Sequence, residues 1–150
     1  GTYRAKVIVQ RDSVSPAESR VTVFVGPFSF FTLPPCRVVD TRNAAGAYGG
    51  PALVAGADRS FILIGQCGIP ATATAVSLNV TVVQPTTGGF LTLYPGGTTL
   101  PLASTINYRS GQVRANNAVV PLGAAGDILV RCGQGGGTAH LVIDVNGYFQ

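Results

Sequence analysis

The sequence has few of the residues that most enzyme chemistry and metal binding require. Its 150 residues contain no Met and no Trp, and only one His, one Lys, one Glu and three Cys. A single His and the absence of a CxxC spacing leave too few ligands for zinc, so we expect no bound metal. Five Asp and one Glu leave few acid or base groups, so we expect a non-catalytic protein without a cofactor.

Long apolar runs and clustered basic residues are also missing. No apolar stretch approaches the roughly 18 residues of a membrane-spanning helix, so we expect no membrane span. Arg supplies nine of the ten basic residues behind the net charge of +4, but these arginines are scattered singly. A nucleic-acid surface favours a clustered basic patch, so we expect no nucleic-acid partner. The chain begins at Gly1 without a signal sequence, and we expect a processed or partial chain.

Glycine, proline and β-branched residues are abundant instead. Gly (20) and Pro (10) make up a fifth of the chain, and charged residues only 11%. The clearest strand is Ala75 to Val83, where apolar and polar side chains alternate. Together these signals predict an all-β fold, a β-sandwich or jelly-roll of about eight to ten strands with an N-terminal β-hairpin extension. The predicted strands of the main domain are 36–42, 60–65, 74–84, 89–94, 103–109, 112–121, 127–132 and 138–146.

The first 26 residues predict an antiparallel hairpin, because two alternating runs flank a polar turn. Their sequence, with GTY opening one run and VTV in the next, resembles the last strands of a bacterial immunoglobulin-like repeat. Such a sandwich needs about seven strands, so the pair has to pack on something else. We therefore predict three segments: 1–26 as a terminal hairpin or donor-strand extension, 27–35 as a Phe/Pro-rich linker, and 36–150 as the β-sandwich.

The three cysteines favour an oxidising, exported setting. Cys36 and Cys67 lie beside Pro and Gly turns and are the preferred disulfide pair. Cys132 is then left over, either as a buried free thiol or as an intermolecular bridge.

Residues 34–150 resemble a module that recurs, often near the C-terminus, in large secreted and surface proteins of bacteria. Its landmarks are CRVVDTR at 36–42, CGIP at 67–70, AVSLNVTVV at 75–83, LTLYP at 91–95, STINY at 104–108, RANNAVVPL at 114–122 and VIDVNGYF at 142–149. The resemblance implies an exported, non-catalytic β-domain at the bacterial cell surface or outside the cell. It also supports the pairing of Cys36 with Cys67.

Three groups of polar residues are candidates for sugar contacts, glycosylation or ion pairing. Tyr48, Tyr94 and Tyr108 are the aromatics that could contact sugar, with Asn79, Asn107, Asn116 and Asn117 as polar partners. Thr86, Thr87, Thr98 and Thr99 lie in Gly/Pro turns that could carry O-linked sugar. Asp40 and Asp144 stand in apolar strands and are expected to pair with arginines such as Arg42 or Arg114.

Two functions fit these observations. In the first, the protein is an extracellular structural subunit that assembles with other copies of itself into a filament or matrix by strand addition from residues 1–33. The inserted side chains would be Val7, Val9, Val21, Val23, Val25, Phe28, Phe30 and Phe31. The alternative is a carbohydrate-binding or adhesion module of a larger secreted bacterial protein, with polysaccharide as its partner. An unpaired apolar hairpin is an aggregation hazard, which favours assembly.

Overall fold

The computed structural model describes residues 28–150 in full and, before them, the backbone of the strands at 3–9 and 17–23. These residues form eleven strands and no helix. The strands are β1 (Tyr3–Val9), β2 (Ala17–Val23), β3 (Phe30–Asp40), β4 (Leu53–Val54), β5 (Asp58–Ile62), β6 (Ala75–Val83), β7 (Gly89–Pro95), β8 (Ile106–Tyr108), β9 (Arg114–Pro121), β10 (Asp127–Gln134) and β11 (Thr138–Phe149).

Nine of these strands form a sandwich of two antiparallel sheets, which confirms the predicted fold class. One sheet has the order β3-β11-β6-β9, with β4 added to the start of β11, and the other has the order β5-β10-β7-β8. β1 and β2 pair with each other as the predicted hairpin, from Tyr3 opposite Val23 to Val9 opposite Ala17.

The core lies between the two sheets and is made by the inward side chains of their strands. In β6 the alternation read from the sequence is confirmed, because Val76, Leu78, Val80 and Val82 are fully buried while the residues between them are half-buried. Phe61 and Ile128 bury their side chains from the opposite sheet.

The expected linker at 27–35 is wrong from Phe30 onward, because Phe30 to Pro35 form the first part of β3. Thr32 pairs with Gly147 and Cys36 with Val145, so three residues of β3 lie opposite one residue of β11. Pro34 and Pro35 fall inside this bulge on an edge strand, where no ladder hydrogen bond is required of them. The two prolines therefore interrupt the pairing without ending the strand.

Candidate functional site

The sandwich has two flanks, each formed by one edge strand from each sheet. We call the flank with β3 and β5 the sealed flank, and the flank with β8 and β9 the open flank. On the sealed flank Tyr48 connects both sheets: its carbonyl accepts a hydrogen bond from the Asp40 N–H at 2.9 Å, and its hydroxyl donates to the Ile62 carbonyl at 2.9 Å. The loop 41–52 thus covers the edges that β3 and β5 would otherwise expose.

Arg59 of β5 holds this loop in place. Its guanidinium donates to the carbonyls of Pro51 at 2.6 Å, Gly49 at 2.7 Å and Gly46 at 2.8 Å, and it lies 4.8 Å from the centre of the Phe61 ring. Burial lowers the pKa of Arg59. The same guanidinium also donates to the Gly50 carbonyl at 3.3 Å. Such charge-assisted bonds are about twice as strong as neutral ones, so one side chain fixes four loop carbonyls.

The predicted disulfide between Cys36 and Cys67 is confirmed, and it also lies on the sealed flank. It ties β3 to the loop that follows β5, with the two Cα atoms 5.8 Å apart. Cys132 is buried and free, which agrees with the first of its two predicted alternatives. Its sulfur lies 3.7 Å from the Tyr108 hydroxyl, and burial raises the pKa of both groups.

The described residues make few contacts across the open flank, between β8 and β9. The Asn116 amide donates to the Thr105 carbonyl at 2.8 Å, above a cleft of about 150 Å³ between β8 and β9. Val113 and Val119 are 65% and 60% exposed, and Leu102, in the loop that leads into β8, is fully exposed. As far as residues 28–150 and the backbone of β1 and β2 show, this flank therefore combines two uncovered strand edges with exposed apolar side chains.

A polar depression lies on the outer face of the five-stranded sheet. Its volume is about 260 Å³, and its lining includes Arg37, Asn79, Asp144 and Asn146. Arg37 binds Asp144 through two hydrogen bonds, of 2.8 and 3.2 Å, so the predicted pairing of Asp144 is made with Arg37 instead of Arg42 or Arg114.

The second expected ion pair forms beside this depression. Arg42 donates twice to the buried carboxylate of Asp40, at 2.6 and 2.8 Å. Hydrogen bonding from Arg42 lowers the pKa of Asp40 to about 2, against the opposing effect of burial. Arg37 contributes a weaker attraction from 3.5 Å. The pair confirms the expectation that Asp40 is tolerated because it has a charged partner.

The tyrosines predicted to contact sugar are placed badly for that role. Tyr94 and Tyr108 are only 4% and 5% exposed, so neither ring can stack on a sugar. Tyr108 belongs to the core between the sheets, and Tyr94 lies beside Asp58 and Arg131. Tyr48 is half-buried and uses its hydroxyl on the sealed flank. Of the Asn partners, only Asn79 lines the polar depression, while Asn107 and Asn116 line the cleft of the open flank. Asn117 is exposed on β9, opposite Asn79.

Three of the four threonines considered for glycosylation use their hydroxyls within the fold. The Thr86 hydroxyl donates to the Thr138 carbonyl, Thr87 donates to Gly136, and Thr98 donates to Pro95. Thr99 is exposed and makes no side-chain hydrogen bond with the described part of the chain. Thr99 is therefore the one of the four whose hydroxyl is available.

The side chains expected to drive assembly divide into two groups. Phe30 and Phe31 pack against Phe149 and Tyr148 of their own chain, with ring centres 4.9 and 5.2 Å apart, yet stay 48% and 39% exposed. Phe28 is 65% exposed. Val25 and the side chains of the remaining assembly residues lie outside the described residues: Val7, Val9, Val21 and Val23.

The chain matches no protein-family model, and no curated protein matches it in sequence. Within the described residues, no helix is long and apolar enough to cross a membrane. The same residues contain no group of three or more His, Cys, Asp or Glu that could hold a metal ion. The two flanks and the polar depression are the candidate functional surfaces of the described residues.

Proposed function

We propose that the protein is a non-catalytic extracellular structural subunit that assembles with other copies of itself by strand addition from its N-terminal hairpin. The observation that carries this proposal is the pairing of β1 and β2, which among the described strands pair only with each other. A two-stranded hairpin is marginally stable in water, and a third strand is the ordinary way to stabilise it.

The sandwich supplies what such a hairpin requires. No loop of residues 28–150 covers the two strand edges of its open flank, and Val113, Val119 and Leu102 add exposed apolar surface there. Strand addition gives affinity through main-chain hydrogen bonds and specificity through alternate side chains. A hairpin on one copy and an edge on the next form a head-to-tail contact, which produces filaments when it does not close into a ring.

Exported localisation belongs to the same proposal. The disulfide between Cys36 and Cys67 fits an oxidising compartment, where such bonds persist. An extracellular filament or matrix at a bacterial surface is consistent with a small, sparsely charged β-sandwich of this kind.

The test is deletion of residues 1–27. A deletion of all of residues 1–33 would also remove the part of β3 that pairs with Phe149 and Tyr148, so it would damage the sandwich itself. We expect the full chain to form filaments or large oligomers in negative-stain images and in sedimentation velocity, and the deleted chain to remain a folded monomer.

The matched control is Ile62→Asp, which places a charge on a 50% exposed apolar residue of the sealed flank. This variant should assemble like the unaltered chain. A full chain that stays monomeric at high concentration, or a deleted chain that still polymerises, would contradict the proposal.

Carbohydrate binding is the second candidate, and the polar depression is the observation that favours it. Arg37, Asp144, Asn79 and Asn146 present charged and amide groups that suit sugar hydroxyls. The aromatic platform that usually accompanies such groups would have to come from elsewhere, since Tyr94 and Tyr108 are buried. Glycan-array binding that is lost in Asn79→Ala, with assembly intact, would favour this function.

A further inference from the structure

The outer edge of β9 carries three backbone N–H groups that point away from its sheet. Leu122 donates its N–H to the Thr74 carbonyl, and the same register pairs Ala118 with Leu78. Antiparallel pairing alternates between bonded and non-bonded pairs, so the N–H groups of the residues between them face outward. These residues are Ala115, Asn117 and Val119.

The other three edges of the sandwich are short, interrupted or covered. β8 has only three residues. On β3, Pro34 and Pro35 have no N–H, and the N–H of Asp40 is taken by Tyr48. β5 lies under the loop that Arg59 holds. Native proteins protect edges by shortness, proline and covering loops, and in the part of the chain that the structure describes β9 has none of these before Pro121.

From this edge we propose that β9 of a second copy is the acceptor for the β1–β2 hairpin, an inference that rests on the proposed function. The eight residues of β9 match the seven of each hairpin strand. Addition there would extend the five-stranded sheet and give the hairpin its third strand. Val119, 60% exposed beside the outward N–H groups, would be covered by the added strand.

The length of the connecting chain favours a second copy over the chain's own β9. Ser29 is held at the start of β3 by hydrogen bonds to Gln150. The next residue, Phe30, lies opposite Phe149, which lies opposite Ala75, which lies opposite Pro121 of β9, so Phe30 and Pro121 are in one row across the sheet. A strand added beyond β9 lies four strand spacings from β3, about 19 Å away. The chain from Val23 to Ser29 spans at most about 20–22 Å when fully extended.

This limit leaves almost no freedom for pairing with the chain's own β9. Only a strand parallel to β9, on a taut connection, would reach the chain's own edge. An antiparallel strand would place Val23 near Arg114, at the other end of β9 and out of reach. Pairing with another copy carries no such restriction.

The experiment removes one outward N–H from β9. Asn117→Pro takes away a donor that β6 does not use, so the sandwich should keep its own ladder. We expect the concentration at half-assembly to rise by at least about tenfold, which corresponds to roughly 1.4 kcal/mol. The matched control is Thr32→Pro, because Thr32 has an outward N–H on β3 by the same alternation, and this variant should assemble normally.

Hydrogen exchange of the unaltered chain provides a second measurement that requires no substitution. The N–H groups of Ala115, Asn117 and Val119 should exchange at least about tenfold more slowly in the assembled protein than after dilution to monomer. Mixing also tests the pairing at a concentration below that at which Asn117→Pro assembles by itself. There the full chain with Asn117→Pro and the full chain with Val21→Asp and Val23→Asp should form a one-to-one complex, although each alone stays monomeric.

Each result decides between stated alternatives. If the full chain assembles while β9 exchanges freely and Asn117→Pro assembles normally, the β9 inference is wrong and the proposed function survives. If β9 is protected in the isolated monomer, the hairpin pairs with its own chain and the second copy is wrong. If the full chain never assembles, the proposed function fails, and the β9 inference fails with it.

Discussion

The two flanks of the sandwich differ in how far their edge strands are covered. On the sealed flank, a disulfide, the loop 41–52 and the guanidinium of Arg59 cover the edges of β3 and β5. On the open flank, one hydrogen bond among the described residues, from Asn116 to Thr105, spans the gap between β8 and β9, and the pairing of β9 with β6 turns three of its N–H groups outward. Since both flanks belong to one sandwich, the difference points to stability on one side and association on the other.

The largest expected effect comes from removing the disulfide of the sealed flank. Replacing Cys36 and Cys67 by Ala together should lower the free energy of unfolding by about 3–4 kcal/mol, because the bond closes a loop of 31 residues. Urea unfolding measures the loss. The unaltered chain in reductant is the control and should match the double variant. A loss below about 1 kcal/mol would mean that the disulfide does not hold this flank together.

The next effect compares one side chain from each flank. Arg59→Ala should cost about 2–3 kcal/mol, because it leaves four loop carbonyls without their charged donor, whereas Asn116→Ala should cost less than about 1 kcal/mol. Urea unfolding gives both values, and hydrogen exchange at the Gly50 N–H reports whether the loop opens. Arg59→Lys should rescue little, because an ammonium lacks the planar fork. Equal costs for Arg59→Ala and Asn116→Ala would remove the distinction between the flanks.

Much of the sandwich could be predicted because it depends on local patterns. The alternation in Ala75–Val83 is set by neighbouring residues, and the Gly/Pro turns separate most strands where the structure separates them. The first part of β3 could not be predicted, because Pro34 and Pro35 are usually strand breakers. Only pairing with distant β11 shows that they fall in a bulge.

The functional surfaces were harder to predict for the same reason. The loop 41–52 shows no chemistry in its sequence, since Arg59 and the carbonyls it binds are brought together only by the folded loop. The burial of Tyr108 depends on the core between the two sheets, and that of Tyr94 on side chains of neighbouring strands, Asp58 and Arg131 among them. The openness of β9 is likewise a property of its neighbours, because its own residues do not say which edges are covered. The pairing of Cys36 with Cys67 could be predicted from the sequence, because turn residues lie beside both cysteines.

The smallest effect concerns the carboxylate of Asp40, which lies between the sealed flank and the polar depression. The pKa of Asp40 is held near 2 in the folded protein, below the value of about 3.9 of an unfolded Asp. A lowered folded pKa stabilises the protein above the unfolded pKa, and this contribution disappears as the pH falls through the folded pKa. The free energy of unfolding should therefore drop by on the order of 2 kcal/mol between pH 5 and pH 2 from this group.

Asp40→Asn should flatten the acid dependence measured by urea unfolding at several pH values. Arg42→Ala should flatten it more than Arg37→Ala, because Arg42 makes two short bonds to the carboxylate and Arg37 lies 3.5 Å away. Assembly should keep its concentration dependence in all three variants at pH 7, since β9 lies at the far edge of the sheet from β3. An unchanged acid slope in Asp40→Asn would show that other carboxylates control acid unfolding. Loss of assembly in the folded Asp40→Asn variant would show that the two flanks are coupled.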